Sequence, residues 1–195
     1  MSTDTAIVVL AGGDGSRIGG SKPLRRLAGE RLIDRALRLA LGWSDTVAIA
    51  LRDPAQARDV DARFLIDVPR VEGPLAGLIT AMEYARDSDT PFVLTIPADM
   101  PFLPTDLLQR LRSAIGASAC AMARSGGHFH PVCGLWAVSA LDSLDLYLET
   151  GRRSLKGFAE TVGFVAVEWR IERSDPFFNV NDRADLHAAE RLVTN

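Results

Sequence analysis

The chain has few of the residues that build disulfide frameworks and zinc sites. Among its 195 residues there are two cysteines, Cys120 and Cys133. They lie thirteen positions apart with no second pair, a spacing that excludes a disulfide framework and the common zinc motifs. We therefore expect both thiols to be buried and inert.

The sequence also lacks a long hydrophobic run and a large excess of charge. No apolar stretch approaches the roughly 20 residues that cross a bilayer, and Asp4 interrupts the beginning of the chain. A net charge of −3 provides no overall attraction to nucleic acid or to an anionic membrane. These absences predict a soluble, cytoplasmic protein with neither nucleic acid nor a membrane as a partner.

The composition is that of a folded globular protein. Hydrophobic residues make up 47% of the chain and charged residues 24%, which is enough apolar material for a substantial core. The sequence has no internal repeat, low-complexity segment or shift of composition. We predict a single domain over residues 1–195.

Short apolar runs alternate along the chain with segments of helical periodicity. This alternation predicts a three-layer α/β fold with a mainly parallel sheet. The predicted strands are 5–11, 46–52, 63–67, 91–97, 119–124, 128–139 and 164–170. The predicted helices are 32–41, 74–88, 105–115 with Thr105 as N-cap, 140–150, 154–162 and a final amphipathic helix after residue 182.

Candidate ligand-binding residues follow the predicted strands. A glycine-rich loop comes after the first strand, Asp67 ends the third and Asp99 follows the fourth. Ligands of open α/β sheets bind outside the carboxyl ends of the strands. We therefore expect these three features to face one cleft.

The glycine-rich loop, residues 10–22, reads LAGGDGSRIGGSK and suits a bound anion. Glycines let backbone N–H groups approach phosphate oxygens, and Arg17 and Lys22 supply positive charge. A Walker loop is excluded because its glycine interval is absent and Pro23, not Ser or Thr, follows Lys22. A dinucleotide fingerprint fits only if its second interval is lengthened by one residue.

The order of residues in this loop resembles the nucleotide-binding loop of the nucleoside-triphosphate transferase family, L-A-G-G-x-x-S-R-M-G-x-x-K. Ile18 stands at the position of the family methionine. Two further departures are Asp14, which brings negative charge beside the phosphates, and Ser21, which stands where the family often has aspartate. The matching residues are Leu10, Ala11, Gly12, Gly13, Ser16, Arg17, Gly19 and Lys22.

Four later segments are similar to the molybdenum cofactor guanylyltransferases, the MobA-type branch of that family. They are GPLAGL (73–78), PADMPFLP (97–104), HPVCGLW (130–136) and NVN…ADL (179–186). Ala98 stands where the family frequently has cysteine. The resemblance covers nearly the whole chain and implies a Rossmann-like fold of the nucleotide-diphospho-sugar transferase type.

The resemblance implies a role for several residues of the predicted cleft. Asp99, a carboxylate at a strand end between two prolines, would bind Mg²⁺, and its structural alternative is a turn or N-cap residue. Lys22 and Arg17 would be catalytic with Asp99, neutralising the triphosphate of the nucleotide. The implied nucleotide-binding residues are Leu10, Ala11, Gly12, Gly13, Lys22, Asp67, Gly73, Pro74, Asn179 and Asn181.

Two of these assignments have structural alternatives. Asp67 would accept hydrogen bonds from the N1–H and 2-amino groups of guanine, or it is a surface carboxylate facing a helix. Asn179 and Asn181 would lie near the phosphates or the metal, or they form an Asx turn before the last helix, for which Asp182 is the better N-cap. His130 and the three tryptophans are expected to be structural.

The expected function is Mg²⁺-dependent transfer of GMP from GTP to molybdopterin, with release of pyrophosphate. We expect a monomer that contacts other molybdenum-cofactor proteins transiently. The alternatives are a related nucleotidyltransferase that uses CTP or another phosphorylated acceptor, and a catalytically silent nucleotide-binding protein. Asp14 and Ser21 favour the silent protein, and the presence of Asp99, Lys22 and both asparagines opposes it.

Overall fold

A computed structural model describes residues 4–12, 22–53, 57, 59–68, 71 and 73–194, with only the backbone of residues 22 and 194. Within these ranges a central seven-stranded sheet and a small two-stranded sheet are present. The strands are β1 (Thr5–Leu10), β2 (Arg26–Leu27), β3 (Glu30–Arg31), β4 (Val47–Leu51), β5 (Phe64–Ile66), β6 (Phe92–Pro97), β7 (Cys120–Ser125), β8 (His128–Ala137) and β9 (Phe164–Trp169).

The central sheet is mainly parallel, as predicted. Its strand order is β5-β4-β1-β6-β8-β7-β9, and β2 pairs with β3 in the small sheet. In the central sheet β8 runs antiparallel to both of its neighbours, and the other pairs are parallel. The carboxyl ends of β1, β4, β5 and β6 therefore lie side by side at one edge, with the beginning of β8 beside them.

Helices cover both faces of this sheet. They are α1 (Leu32–Leu41), α2 (Pro74–Asp87), α3 (Leu107–Ile115), α4 (Leu144–Glu149), α5 (Leu155–Val162) and α6 (Arg183–Thr194). Ile7 and Val9 of β1 lie in a core with α1 and α3, and the alternate residues Ala6 and Val8 lie in a core with α2 and α5. A strand buried on both faces gives a continuous apolar run, which is why β1 is evident in the sequence. The three-layer prediction is confirmed.

The third helix begins later than predicted. Thr105 is not its N-cap, since α3 starts at Leu107 and Asp106 occupies the capping position without a side-chain capping bond. The Asp106 carboxylate instead accepts a 3.0 Å hydrogen bond from the indole of Trp169. A tertiary contact has replaced the local one.

The segment predicted as one helix over 140–150 is divided. A 3₁₀ helix occupies Val138–Ser143 and α4 follows directly from Leu144. The 3₁₀ turn begins within the last residues of the predicted extended segment 128–139, so β8 ends at Ala137.

Both cysteines are buried, as expected. Burial raises the pKa of each thiol, so both stay protonated at neutral pH. In the described part of the chain no helix is long and apolar enough to cross a membrane.

Candidate functional site

A cavity of about 260 Å³ lies at the carboxyl edge of β1, β4 and β6. Its position is that expected for a ligand site in an open α/β sheet. The described residues that line it are Leu10, Gly12, Ala50, Arg52, Asp67, Gly73, Pro74, Gly77, Pro97, Asp99, Val132 and Asn179.

One part of the cavity is built around the carboxylate of Asp67. A Cβ atom at Gly12 would lie 2.7 Å from Asp67 Oδ2, and one at Gly77 would lie 3.6 Å from Oδ1. At Gly12 only a residue without a side chain allows this close approach to the carboxylate, whereas the distance at Gly77 is an ordinary van der Waals contact. Asp67 Oδ1 is buried and has no hydrogen-bond partner among the described residues. This is the state expected of an atom that accepts a hydrogen bond from a ligand.

The charge of Asp67 is controlled by two opposed effects. Burial raises the pKa of the Asp67 carboxyl above its ordinary value, and the nearby cation of Arg52 offsets only part of this increase. Arg52 lines the same cavity, directly after the end of β4. A carboxylate and a guanidinium are thus adjacent in this part of the site.

The beginning of α2 forms another wall. Gly73 has φ +78° and ψ −166°, a backbone conformation that L-residues with a side chain rarely adopt, and Pro74 occupies the first helical turn. The helix therefore starts abruptly at the cavity, with its N-terminal dipole directed there.

Asp99 lies beyond the end of β6, where three chain segments meet. The Ala98 N–H donates to the Leu10 carbonyl over 3.1 Å, and the Val180 N–H donates to the Asp99 carbonyl over 2.9 Å. Val180 is fully buried, and its burial holds the neighbouring residue Asn179 in the cavity wall. Residues 81 positions apart in sequence are thereby joined.

An irregularity in β8 supplies the remaining wall. Met122 pairs with Gly134 and Ala123 pairs with His130, so residues 131–133 are additional on the β8 side. Pro131 cannot donate to a ladder and suits this interruption. Val132 lines the cavity as a result, and Cys133 Sγ lies 3.7 Å from Met100 Sδ.

A polar cluster next to this irregularity fixes the chain leading to Asn179. The Ser125 hydroxyl donates to Asp175 Oδ1 over 2.8 Å and lies 2.8 Å from His130 Nε2. A hydroxyl has one hydrogen, so its oxygen accepts from His130 Nε2–H. Asp175 Oδ1 also accepts from the Phe177 N–H, and the His130 ring stacks on Phe177 at 4.5 Å.

Most of the predicted site residues that the structure describes meet in the cavity. These are Leu10, Gly12, Asp67, Gly73, Pro74, Asp99 and Asn179. Asp67 is half-buried in the cavity wall, which opposes its interpretation as a surface carboxylate. Gly13, Asp14, Arg17 and Ser21 lie outside the described residues. Only the backbone of Lys22 is described, and it begins a 3₁₀ turn.

Two predicted residues lie elsewhere. The Ala11 side chain is buried in the core, and its N–H donates to the Ala50 carbonyl within the sheet. Asn181 is exposed, and its N–H donates to Asp185 Oδ2 over 2.8 Å. Asp182 Oδ1 accepts from the Asp185 N–H and caps α6, as predicted. The functional assignments of Ala11 and Asn181 stay predictions.

Sequence reasoning missed Arg52 and Val132. Arg52 immediately follows a predicted strand, so the rule that selected Asp67 and Asp99 could have selected it as well. Val132 had no such signal, because only the irregular pairing of β8 turns it towards the cavity. Among the described residues no group of three or more His, Cys, Asp or Glu side chains could hold a metal ion without other ligands.

Comparison with known proteins gives concordant results. A family model for the MobA-like NTP transferase domain matches residues 7–162. A molybdenum cofactor guanylyltransferase of Acidiphilium cryptum is 41% identical over 94% of this chain and 92% of its own length. One from Rhizobium rhizogenes is 38% identical over 95% and 90%.

A solved structure supports the same relationship. The molybdopterin-guanine dinucleotide biosynthesis protein A of Archaeoglobus fulgidus superimposes with a TM-score of 0.77. It is 25% identical to this chain, and the match covers 97% of this chain and 98% of that one.

Proposed function

The chain belongs to the MobA-like NTP transferase family, and on that premise we propose that it transfers GMP from GTP to molybdopterin. The observation that carries this proposal is the single cavity shared by Asp67 and Asp99. One carboxylate suits the hydrogen-bond donors of guanine, and the other suits a cation that accompanies the phosphates. Relatives named molybdenum cofactor guanylyltransferase support the same assignment.

The guanine base is proposed to lie against Asp67. Guanine presents two neighbouring donors, N1–H and the 2-amino group, and Asp67 Oδ1 is a buried acceptor without a partner among the described residues. A pairing of this kind satisfies the carboxylate and selects guanine over bases that lack these donors. Leu10, Gly12, Gly73 and Pro74 would enclose the nucleoside.

The triphosphate is proposed to extend towards Asp99 and Asn179. Carboxylate and amide oxygens are suitable ligands for Mg²⁺, which commonly uses one or two protein groups and completes its shell with water and phosphate. The donor set in the cavity therefore fits this ion. When bound, Mg²⁺ would supply positive charge to the phosphate oxygens.

Other predicted residues complete the phosphate site in this proposal. Lys22 and Arg17 would neutralise the charge that develops on pyrophosphate, assisted by backbone N–H groups of the glycine-rich loop such as that of Gly13. Asn181 would contribute a second amide close to Asn179. Each of these roles is an extension of the family motif to the matching position.

The reaction is a substitution at the α-phosphorus of GTP. An oxygen of the molybdopterin phosphate forms a bond to this phosphorus, and the bond from the phosphorus to the α,β-bridging oxygen breaks. The bridging oxygen retains the electron pair and departs with pyrophosphate. A phosphate monoester is largely dianionic at neutral pH, so the nucleophile needs no strong base, and alignment with charge neutralisation provides the catalysis.

Nucleotide titration tests this proposal. The thermal midpoint should rise with GTP concentration in the presence of Mg²⁺ and rise less with CTP, ATP or UTP, because a ligand that binds the native state stabilises it. Pyrophosphate should be released when molybdopterin is added with GTP. A preference for CTP would refute the guanylyl assignment, and GTP binding without pyrophosphate release would indicate a silent nucleotide-binding protein. A cytoplasmic monomer remains part of the proposal, testable by fractionation and by light scattering.

A further inference from the structure

We propose that Arg52 is a specificity-determining residue that donates hydrogen bonds to O6 and N7 of guanine. Asp67 would accept from N1–H and the 2-amino group of the same base. This inference rests on the proposed function, since it assumes that the nucleotide is GTP. It adds a residue that lies outside every motif by which the sequence resembles its family.

The backbone places Arg52 and Asp67 side by side. Leu51, the last residue of β4, pairs with Ile66 of β5, and the Asp67 N–H donates to the Leu51 carbonyl over 3.0 Å. Arg52 and Asp67 are the residues that follow these two strand ends. Their separation is thus set by the sheet and not by a mobile loop.

Both side chains also converge on Gly12. A Cβ atom at Gly12 would lie 2.7 Å from Asp67 Oδ2 and 3.5 Å from Arg52 Cγ. The stem of Arg52 is therefore held against the β1 loop at the place where the Asp67 carboxylate lies. Both residues line the same cavity.

The two charges match adjacent groups on one base. Guanine carries acceptors at O6 and N7, and next to O6 its N1–H and 2-amino groups are donors. A guanidinium donates through a planar fork that matches O6 and N7, and a neighbouring carboxylate accepts from the donors. Adenine places a donor at position 6 and an acceptor at N1, so it would meet both side chains with the wrong polarity.

The charge balance is consistent with this role. Burial raises the pKa of the Asp67 carboxyl, and the Arg52 cation offsets part of this increase, so that Arg52 favours the ionised acceptor. This electrostatic effect alone would also make Arg52 useful to a nucleotide site. The experiment must therefore separate the electrostatic effect of Arg52 on the Asp67 carboxyl from a direct contact between Arg52 and the base.

Nucleotide analogues make that separation. Dissociation constants would be measured by calorimetry with Mg²⁺ for GTP, 7-deaza-GTP, which lacks N7, and ITP, which lacks the 2-amino group. The wild-type protein should bind 7-deaza-GTP several-fold more weakly than GTP. Arg52→Met should weaken GTP binding by about 5- to 150-fold, the range for a lost bidentate contact to guanine, and should bind GTP and 7-deaza-GTP equally.

Further variants sharpen the result. Arg52→Lys keeps the charge but loses the fork, so it should retain little of the discrimination against 7-deaza-GTP. The weaker binding of ITP should persist in Arg52→Met, because that difference depends on Asp67. Arg170→Met is the matched control: Arg170 follows β9, the outermost strand on the side of the sheet away from β4 and β5, and does not line the cavity. This variant should bind all three nucleotides as the wild-type protein does.

The outcomes distinguish this inference from the proposed function. If wild-type protein binds GTP but does not distinguish it from 7-deaza-GTP, Arg52 does not contact N7 and the inference is overturned. If Arg52→Met weakens GTP and 7-deaza-GTP by the same factor, Arg52 acts only on the charge of Asp67. If wild-type protein binds no guanine nucleotide, the proposed function itself fails. The wild-type comparison requires no variant and so does not depend on how Arg52→Met folds.

Discussion

The Val180 N–H donates a 2.9 Å hydrogen bond to the main-chain carbonyl of Asp99. This bond joins the turn after β6 to the segment before α6, and it involves no side chain. It holds Asn179 next to Asp99 at the cavity wall. Side-chain substitutions at Asp99 should therefore alter the chemistry of the site while leaving its backbone in place.

Asp99→Asn should abolish most activity without unfolding the protein. The amide cannot supply the negative charge that a divalent cation requires, and loss of metal charge stabilisation worth several kcal/mol corresponds to a fall in turnover on the order of 100-fold or more. Pyrophosphate release at saturating GTP and Mg²⁺ measures the effect. Asp87→Asn, at the exposed end of α2, is the control and should keep wild-type turnover. Near-normal turnover of Asp99→Asn would refute the role of Asp99 as metal ligand.

Gly12→Ala should weaken GTP binding by displacing the carboxylate of Asp67. Its new methyl group would lie 2.7 Å from Asp67 Oδ2, closer than atoms in van der Waals contact, so Asp67 has to move at a cost of about 1–3 kcal/mol. Calorimetric titration with GTP, together with urea unfolding, measures the two effects.

Gly77→Ala is the comparison for this substitution. Its methyl group would meet the end of the Leu10 side chain at 3.1 Å, which can adjust, and alanine is favoured over glycine in a helix by about 0.5–1 kcal/mol. Stability should be kept or raised and GTP affinity should change less than in Gly12→Ala. In an Asp67→Ala background the Gly12→Ala penalty should shrink, and strict additivity of the two changes would contradict the proposed clash.

His130 should make the protein less stable in mild acid. Burial lowers the pKa of the His130 imidazole and His128 acts in the same direction, while Asp175 and Glu168 oppose them. The unfolded chain, with a histidine pKa of about 6.5, therefore binds this proton more readily than the folded protein. The contribution to stability is complete above about pH 6.5 and is lost as the pH falls through the lower, folded-state pKa.

Urea unfolding at pH 7.5, 6.5 and 5.5 checks this effect. The free energy of unfolding of His130→Gln should depend less on pH than that of the wild-type protein, by at most about 1.4 kcal/mol per pH unit for one proton. Gln109→Asn, an exposed change on α3 that involves no titrating group, should retain the wild-type slope. Equal slopes in His130→Gln and wild type would show that the His130 proton is not linked to folding.

The elements of the fold that could be predicted are those whose own residues carry the signal. β1 is apolar on both faces because it lies between two cores, and α2 carries its proline at the helix start. The predicted start of α3 at Thr105 was wrong. The Asp106 carboxylate accepts a hydrogen bond from the indole of Trp169, 63 residues away, and does not cap the helix. Such a contact depends on the tertiary structure and leaves no mark in the sequence.

The same distinction applies to the cavity. Asp67 and Asp99 could be predicted because the carboxyl ends of parallel strands meet at one edge. The Ser125, His130 and Asp175 cluster could not, since its members approach only after β7 and β8 have paired and the chain has returned past β9. Val132 depended on the register change within β8.

The central position of β1 also determines when the cavity can exist during synthesis. β1 leaves the ribosome before the other strands of its sheet, yet its two neighbours are β4 and β6, so its pairing is incomplete until about residue 97 has been added. The wall that carries Asn179 follows only when a further stretch of about 80 residues has been added. A nascent chain that ends before this segment has its parallel strands but an incomplete cavity, so ligands of that cavity can stabilise only chains that extend beyond Asn179.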